Sequence, residues 1–137
     1  MKMLVPVAGM LIMVSVVQAG ELPKDIQAKF IKILAQSAGS PGRVVCHDPD
    51  MQAALTKVGV NSDGAAKVAW ASSLTEVRSM KTMGKLVICG KQEWLTQGAA
   101  IALVEEGGKP QVILHMGHIA ASGVSLSEAV LKIGKRE

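Results

Sequence analysis

Residues 66–90, Ala-Lys-Val-Ala-Trp-Ala-Ser-Ser-Leu-Thr-Glu-Val-Arg-Ser-Met-Lys-Thr-Met-Gly-Lys-Leu-Val-Ile-Cys-Gly, decide the fold class. Ala66 to Ala71 reads as a strand in which Val68 and Trp70 alternate with smaller or polar side chains. Ser73-Leu74-Thr75-Glu76 is a Ser-x-x-Glu capping box, which opens a helix to about Lys81. Lys85 to Cys89 is the most strand-like run in the chain, and Gly90 ends it. Strand, helix and strand within so few residues form a crossover unit, and its two strands must run parallel.

The same grammar extends outward in both directions. Upstream, Pro23-Lys24-Asp25 opens a helix with Ile26, Phe30, Ile33 and Leu34 on one face, closed by Gly39-Ser40-Pro41-Gly42. Arg43 to Cys46 is a β-branched run. Asp48-Pro49 then supplies an N-cap and a proline in the first helical position, with Met51, Ala54, Leu55 and Val58 lining a helix that Gly59 closes. Downstream, Glu93 to Gln97 predicts a short helix. Ala100–Val104 and Gln111–Met116 predict an antiparallel pair joined at Glu105–Pro110. A second Ser-x-x-Glu box at Ser125–Glu128 starts a last helix carrying Leu126, Ala129, Val130 and Ile133. The expected fold is therefore α/β and layered: a mixed sheet of parallel βα units, then an antiparallel hairpin and a C-terminal helix.

Residues 1–19 are of another kind. Lys2 supplies the positive start and Leu4 to Val17 carries no charge. Val17 and Ala19 then place small residues before Gly20, the layout of a secretory signal peptide. The apolar stretch is about fourteen residues, short of the ~20 that a membrane-spanning helix needs. The expectation is export to the periplasm, with residues 20–137 as a single domain.

Composition limits the function. Fifteen basic against eleven acidic residues leave +4, the bases are scattered, and only 2% of residues are aromatic, so nucleic-acid binding has little support. Cys46 and Cys89 are the only cysteines. Export would expose them to oxidising conditions, and a bridge would contribute ~4 kcal/mol in chain-entropy accounting. Both end apolar runs, however, so buried separate thiols are the alternative. His115 and His118 are spaced as HxxH, with Cys46-His47 as further conceivable ligands. That spacing alone does not assemble a zinc site, and hydrogen-bonded or solvated histidines are the simpler reading. Glu105-Glu106 reads as a solvated turn, and Asp48 with Asp50 as a helix start. There is no GxSxG elbow and no Gly-rich phosphate loop, hence no enzyme signature and no expected cofactor or metal. Trp70 reads as core. Trp94, in a surface segment, is the candidate contact residue, because binding hot spots are enriched in tryptophan.

Ala100 to Leu114 resembles the hairpin of the YfiR-like periplasmic proteins: strand, acidic and glycine turn, strand. His118 to Ile133 is similar to that family's closing pattern, with Gly123, Val124, Ser127 and Leu131 at matching positions. Ala28-Lys29-Phe30 and Val44-Val45-Cys46 match more loosely. The chain departs from the family where Ser40-Pro41 lacks an aromatic partner, where Cys46-His47 follows the first strand rather than a later one, and where His115 replaces an asparagine. The resemblance implies a non-enzymatic regulator that binds the periplasmic domain of an inner-membrane signalling protein and restrains a diguanylate cyclase. Disulfide state and homodimerisation are tied to that role in the family. The competing expectation is a small-ligand-binding periplasmic module. Its crevice would be framed by Cys46-His47-Asp48 and Cys89-Gly90-Lys91 at the carboxyl ends of strands.

Overall fold

The computed structural model describes residues 20–137; the expected signal peptide lies outside the described residues. The chain runs β1 (Gly20–Glu21), α1 (Lys24–Ser37), β2 (Arg43–Val44), α2 (Pro49–Lys57), β3 (Asn61–Ser62), β4 (Val68–Trp70), α3 (Leu74–Thr82) and β5 (Leu86–Cys89). A 3-10 helix at Gln92–Gln97 leads to β6 (Ile101–Glu106), β7 (Lys109–Leu114), α4 (Met116–Ser122), α5 (Glu128–Ile133) and β8 (Lys135–Arg136). No helix among the described residues is long and apolar enough to cross a membrane.

The main sheet has the order β4-β5-β6-β7-β8. β4, β5 and β6 are parallel, β6 and β7 form the antiparallel hairpin, and β8 adds parallel to β7. β2 pairs parallel with β3, and a bridge at Val45↔Ala69 carries that ribbon onto β4. Two hydrogen bonds hold the junction, from the Val45 N–H to the Val68 carbonyl and from the Trp70 N–H to the Val45 carbonyl. The expected α/β layering, parallel units and closing hairpin are all present.

β5 stops at Cys89, opposite Ala102, whereas β6 continues to Glu106. β1 occupies the place that β5 leaves vacant, pairing Glu21 with Val104 and Gly20 with Glu105. Glu21 is thereby placed beside the end of β5. Two-residue strands such as β1 and β8 owe their existence to the strand beside them, since no isolated pair of residues is stable as β-structure.

Side chains alternate across the sheet and make two cores. Val44, Cys46, Val68, Trp70, Leu86, Ile88, Ile101, Leu103, Val112 and Leu114 pack on one face against α1, α2 and the C-terminal helices. Val45, Ala69, Val87, Cys89, Ala102, Val104 and Ile113 pack on the other, against α3 and the 3-10 segment. The first helix keeps most of its expected face, with Leu34 buried and Ile26 and Phe30 packed partly buried against the core, whereas Ile33 is 46% exposed. The buried stripe is wider than expected and is centred on Ala28, Ile31, Leu34 and Ala35, together with Gln27. The last helix also starts later than expected. Its cap is Ser127, whose hydroxyl accepts from the Val130 N–H, and not Ser125. α4 was not foreseen by periodicity; it places His115 at an N-cap and ends on left-handed Gly123, φ 74°.

Candidate functional site

The carboxyl ends of β4 and β5 and the turn after β2 open on one crevice. Its volume is about 550 Å³, within the range of small-molecule sites. Trp70 and Ala71 line it from β4, Ser72, Ser73 and Leu74 from the start of α3, and Gly90, Lys91 and Trp94 from the segment after β5. Glu21, Lys24 and Asp48 complete the wall. A second cleft of about 500 Å³ adjoins it, sharing Glu21, Gly90 and Lys91 and extending past Thr96 and Val104 to Glu137.

Each lining residue is positioned by local chemistry. Asp48 caps α2 by accepting from the Asp50 N–H at 3.2 Å, and its other oxygen pairs with the Lys24 ammonium at 3.3 Å. The Cys46 carbonyl, leaving the β-ladder there, accepts from the Gln52 and Ser62 side chains instead. On the α3 side, the Ser73 hydroxyl accepts from the Glu76 N–H. The Glu76 carboxylate in turn accepts from the N–H and hydroxyl of Ser72 at 2.8 and 2.9 Å. The capping box read from the sequence is thus present, with the carboxylate reaching one residue further back.

The β5 corner is held from beneath. A Cβ on Gly90 would lie 2.9 Å from both Gln27 Nε2 and Glu21 Oε2, so this position accepts only glycine without moving one of them. The Lys91 ammonium lies 5.4 Å from the centroid of Trp94, a cation–π contact over a half-buried ring. Trp94, expected as a contact residue, does line the crevice. Trp70 is 2% exposed, as expected for core, but it also lines the crevice floor. Its indole Nε1–H has no partner among the described residues.

Cys46 and Cys89 are separate buried thiols, so of the two alternatives left open by the sequence the bridge is not formed. The register explains this. Val45 lies beside Ala69, which puts Cys46 on the face of Trp70 and Ile88; Cys89, one residue after Ile88, points to the opposite face. β4 also runs between them. Two strand spacings are roughly 10 Å, beyond the ~7 Å Cα separation that a disulfide spans. Burial pushes the Cys46 thiol up to about 11 and the Cys89 thiol up to about 12. Each thiol donates to a carbonyl two residues on, Cys46 to Asp48 at 3.6 Å and Cys89 to Lys91 at 3.2 Å.

The histidines serve structure. His115 Nδ1 accepts from the His118 N–H at 3.0 Å, His118 Nδ1 lies 3.0 Å from the Ala99 carbonyl, and the two rings stack at 3.8 Å. They follow β7, several strands from exposed His47. Among the described residues no three of His, Cys, Asp and Glu converge on a metal position. Glu106 pairs with Lys135 of β8 at 3.6 Å and Glu105 is exposed, but both stand in β6 opposite Lys109 and Pro110, so the turn is Gly107-Gly108 and not the whole of the expected Glu105–Pro110 loop.

No family model and no curated protein matches this sequence. Solved structures do match in fold. A conserved domain protein from Vibrio cholerae O1 biovar El Tor superposes with a TM-score of 0.61 at 12% identity, covering 83% of this chain. The ABC domain from Streptococcus pneumonia, solved in complex with L-Trp, superposes with a TM-score of 0.60 at 11% identity, again over 83% of this chain. This chain spans 60% of the length of each. At such identities the likeness concerns the α/β fold alone.

Proposed function

We propose that the chain is a binding protein and not an enzyme: an exported regulator that engages the periplasmic domain of an inner-membrane signalling protein and restrains a diguanylate cyclase. The observation that carries this reading is the order of the closing third. β6, a turn through Gly107 and Gly108, β7, α4, left-handed Gly123 and α5 follow one another, an order in keeping with the resemblance to YfiR-like proteins. Gly123, Val124 and Ser127 form the junction between the last two helices, Gly123 as the left-handed cap and Ser127 as the next N-cap. The residues with chemical potential are engaged in structure: both thiols are protonated and buried, and His115 and His118 cap and brace α4. Regulation would then be a shift in the partner's conformational equilibrium through differential binding.

The test is in vivo crosslinking of the tagged protein followed by identification of membrane partners, together with cellular cyclic-di-GMP. Recovery of a cyclase with a periplasmic domain, and a rise in cyclic-di-GMP when the chain is deleted, is the expected result. Unchanged cyclic-di-GMP with no cyclase recovered sinks the regulator.

One observation favours a second reading, a small-ligand module: the crevice at the carboxyl ends of parallel strands, where open α/β sheets hold ligands. The pneumococcal ABC domain, a fold neighbour, was solved with L-Trp bound. A thermal-shift screen against metabolites tests it, and a flat screen counts against it.

A further inference from the structure

We propose that the end of the sheet opposite the crevice is a docking surface for an anionic phospholipid bilayer, with the exposed Met83 side chain entering the headgroup layer among basic residues. This edge is distinct from the crevice, and docking there depends on neither reading above. Topology assembles it. α2 and α3 begin at the crevice, so both end at the far edge, where β2, β4 and β5 start. Val45 lies beside Ala69 and Ala69 beside Val87; two residues back along the same register stand Arg43, Lys67 and Lys85. Bases scattered along the sequence are thus drawn into one row across three strands. Lys57 in the last turn of α2 and Lys81 in the last turn of α3 extend the row on the two faces of the sheet.

The charges at this edge do not cancel. Asp63, the acid that stands among them, is taken up by Arg43 at 3.0 Å, which leaves Lys57, Lys67, Lys81 and Lys85. Lys57, Lys67 and Lys81 are exposed; Lys85 is half-buried and donates to the Ala66 carbonyl at 2.7 Å. The negative ends of two helix dipoles offset roughly one of these charges. They also account for Lys57 and Lys81, since a base in a last turn is favourable there, but not for Lys67 and Lys85 at strand starts. Nor do they account for Met83. The turn after α3 is closed by the Lys85 N–H on the Met80 carbonyl and the Gly84 N–H on the Lys81 carbonyl, with Gly84 left-handed at φ 78°. That turn holds Met83 outside the core, 58% exposed, between Lys81 and Lys85. Met83 alone suits either a protein or a lipid partner. Protein interfaces, however, are poor in lysine and rich in aromatic rings, whereas this edge is mostly lysine and holds neither tryptophan. Lysines around one apolar tip suit a bilayer, where the ammonium groups meet lipid phosphates and the tip enters the interface.

The experiment is co-sedimentation of the purified protein with vesicles of phosphatidylcholine alone and of an equal mixture with phosphatidylglycerol, at low and at high salt. The expected result is binding to the anionic vesicles alone, lost at high salt. Lys67→Gln and Lys81→Gln should each weaken it about fivefold, the factor that about 1 kcal/mol per basic side chain near an anionic surface gives. Lys91→Gln, at the crevice, should leave it unchanged. An environment-sensitive dye on Met83→Cys, where the introduced thiol is exposed while Cys46 and Cys89 are buried, should report transfer into an apolar medium. The same dye on Glu93→Cys, on the crevice side, should not. Equal binding to neutral vesicles, or none to the anionic ones, overturns the proposal. A dye response at position 93 and not at position 83 overturns the assignment to this edge. Capture of poly-glutamate or of a DNA strand through Lys67 and Lys81, with the vesicles left unbound, gives the edge to an acidic protein or a nucleic acid and overturns the bilayer.

Discussion

The Cys46-His47-Asp48 and Cys89-Gly90-Lys91 corners share a design but bury their thiols on opposite faces of the sheet. In each, a cysteine stands at or just past the carboxyl end of a parallel strand, its thiol donates to a carbonyl two residues on, and the residue carrying that carbonyl has a charged side chain in the crevice. Each corner also has a tryptophan nearby, Trp70 on the neighbouring strand in one case and Trp94 in the following 3-10 turn in the other. The difference is a single step of register. Cys46 aligns with Trp70 and Ile88 and enters the α1–α2 core, whereas Cys89 lies one residue past Ile88 and enters the α3 core. Because strand side chains alternate with period two, one residue decides the face. The lesson is that a shared local motif fixes where charges stand but not which core supports them.

The largest expected contrast is between the tryptophans. Trp70 is buried in the larger core and Trp94 only half-buried against the smaller one. Trp70→Ala should cost about 3–5 kcal/mol of unfolding free energy by core truncation. Trp94→Ala should cost about 1 kcal/mol or less, since most of its surface loss is partial and its cation–π contact is worth ~0.5–1 kcal/mol. Urea denaturation measures both, and equal losses would break the distinction between a core-supported and a surface-supported corner.

The middle residues differ next. Gly90 is closed in by Gln27 and Glu21, whereas His47 is exposed. Gly90→Ala should cost about 1 kcal/mol or less, because the atoms in its way are the ends of two side chains and the Glu21 end is exposed and free to swing aside, and His47→Ala should stay within ~0.5 kcal/mol. A loss well above that in Gly90→Ala would mean that Gln27 and Glu21 are held fast where they stand.

How much of this could be read from the sequence follows the same division. The parallel units around Ala66–Gly90, the Asp48 and Ser73 caps and the hairpin at β6–β7 were legible, because each is written in neighbouring residues: alternation, a cap, a proline or a glycine. The centre of the buried stripe on α1 was not. Periodicity finds Leu34, Ile26 and Phe30 on the core side, but Ile33 is exposed while the small Ala28 and Ala35 are fully buried, which a search for bulky residues does not show. β1 and β8 were invisible since Gly20-Glu21 and Lys135-Arg136 carry no strand signal and exist only through pairing. The two strand ends framing the crevice could be anticipated from the parallel order. Bringing Glu21, Lys24 and Trp70 to them required the sheet order and the vacancy beside β6. His115 and His118 attract attention as HxxH, yet the helix that His115 caps carries no periodic signal of its own.

A smaller contrast tests the charged ends. Asp48 both caps α2 and pairs with Lys24, whereas Lys91 holds only a ring. Asp48→Ala should cost about 1 kcal/mol from the lost cap, with a fraction more from an ion pair that is partly exposed. Lys91→Ala should cost less than ~0.5 kcal/mol, because Lys91 is exposed and its close partner is one ring face. Loss of stability in Lys91→Ala equal to that in Asp48→Ala would mean that the Trp94 contact holds the β5 corner as firmly as the cap holds α2.

The finest contrast lies between the thiols. Burial, the largest cause in both, holds Cys46 at about 11 and Cys89 at about 12, against an ordinary thiol value of ~8.5. In the folded chain both therefore stay protonated where an unfolded chain has begun to lose its thiol protons. The unfolded state then binds fewer protons, so the contribution of the thiols to stability is full below about pH 8.5 and declines as pH rises toward 11–12. The denaturation midpoint should fall between pH 7.5 and 10, and the Cys46→Ala, Cys89→Ala double variant should fall less, separating the thiols from the lysines that titrate in the same window. Both thiols are raised for the same cause, so alkylation of the folded chain should be slow at Cys46 and Cys89 alike and fast once the chain is unfolded. Rapid labelling of one thiol with the other still protected would mean that its face of the sheet opens locally, and the labelled cysteine would say whether the α1–α2 core or the α3 core yields first.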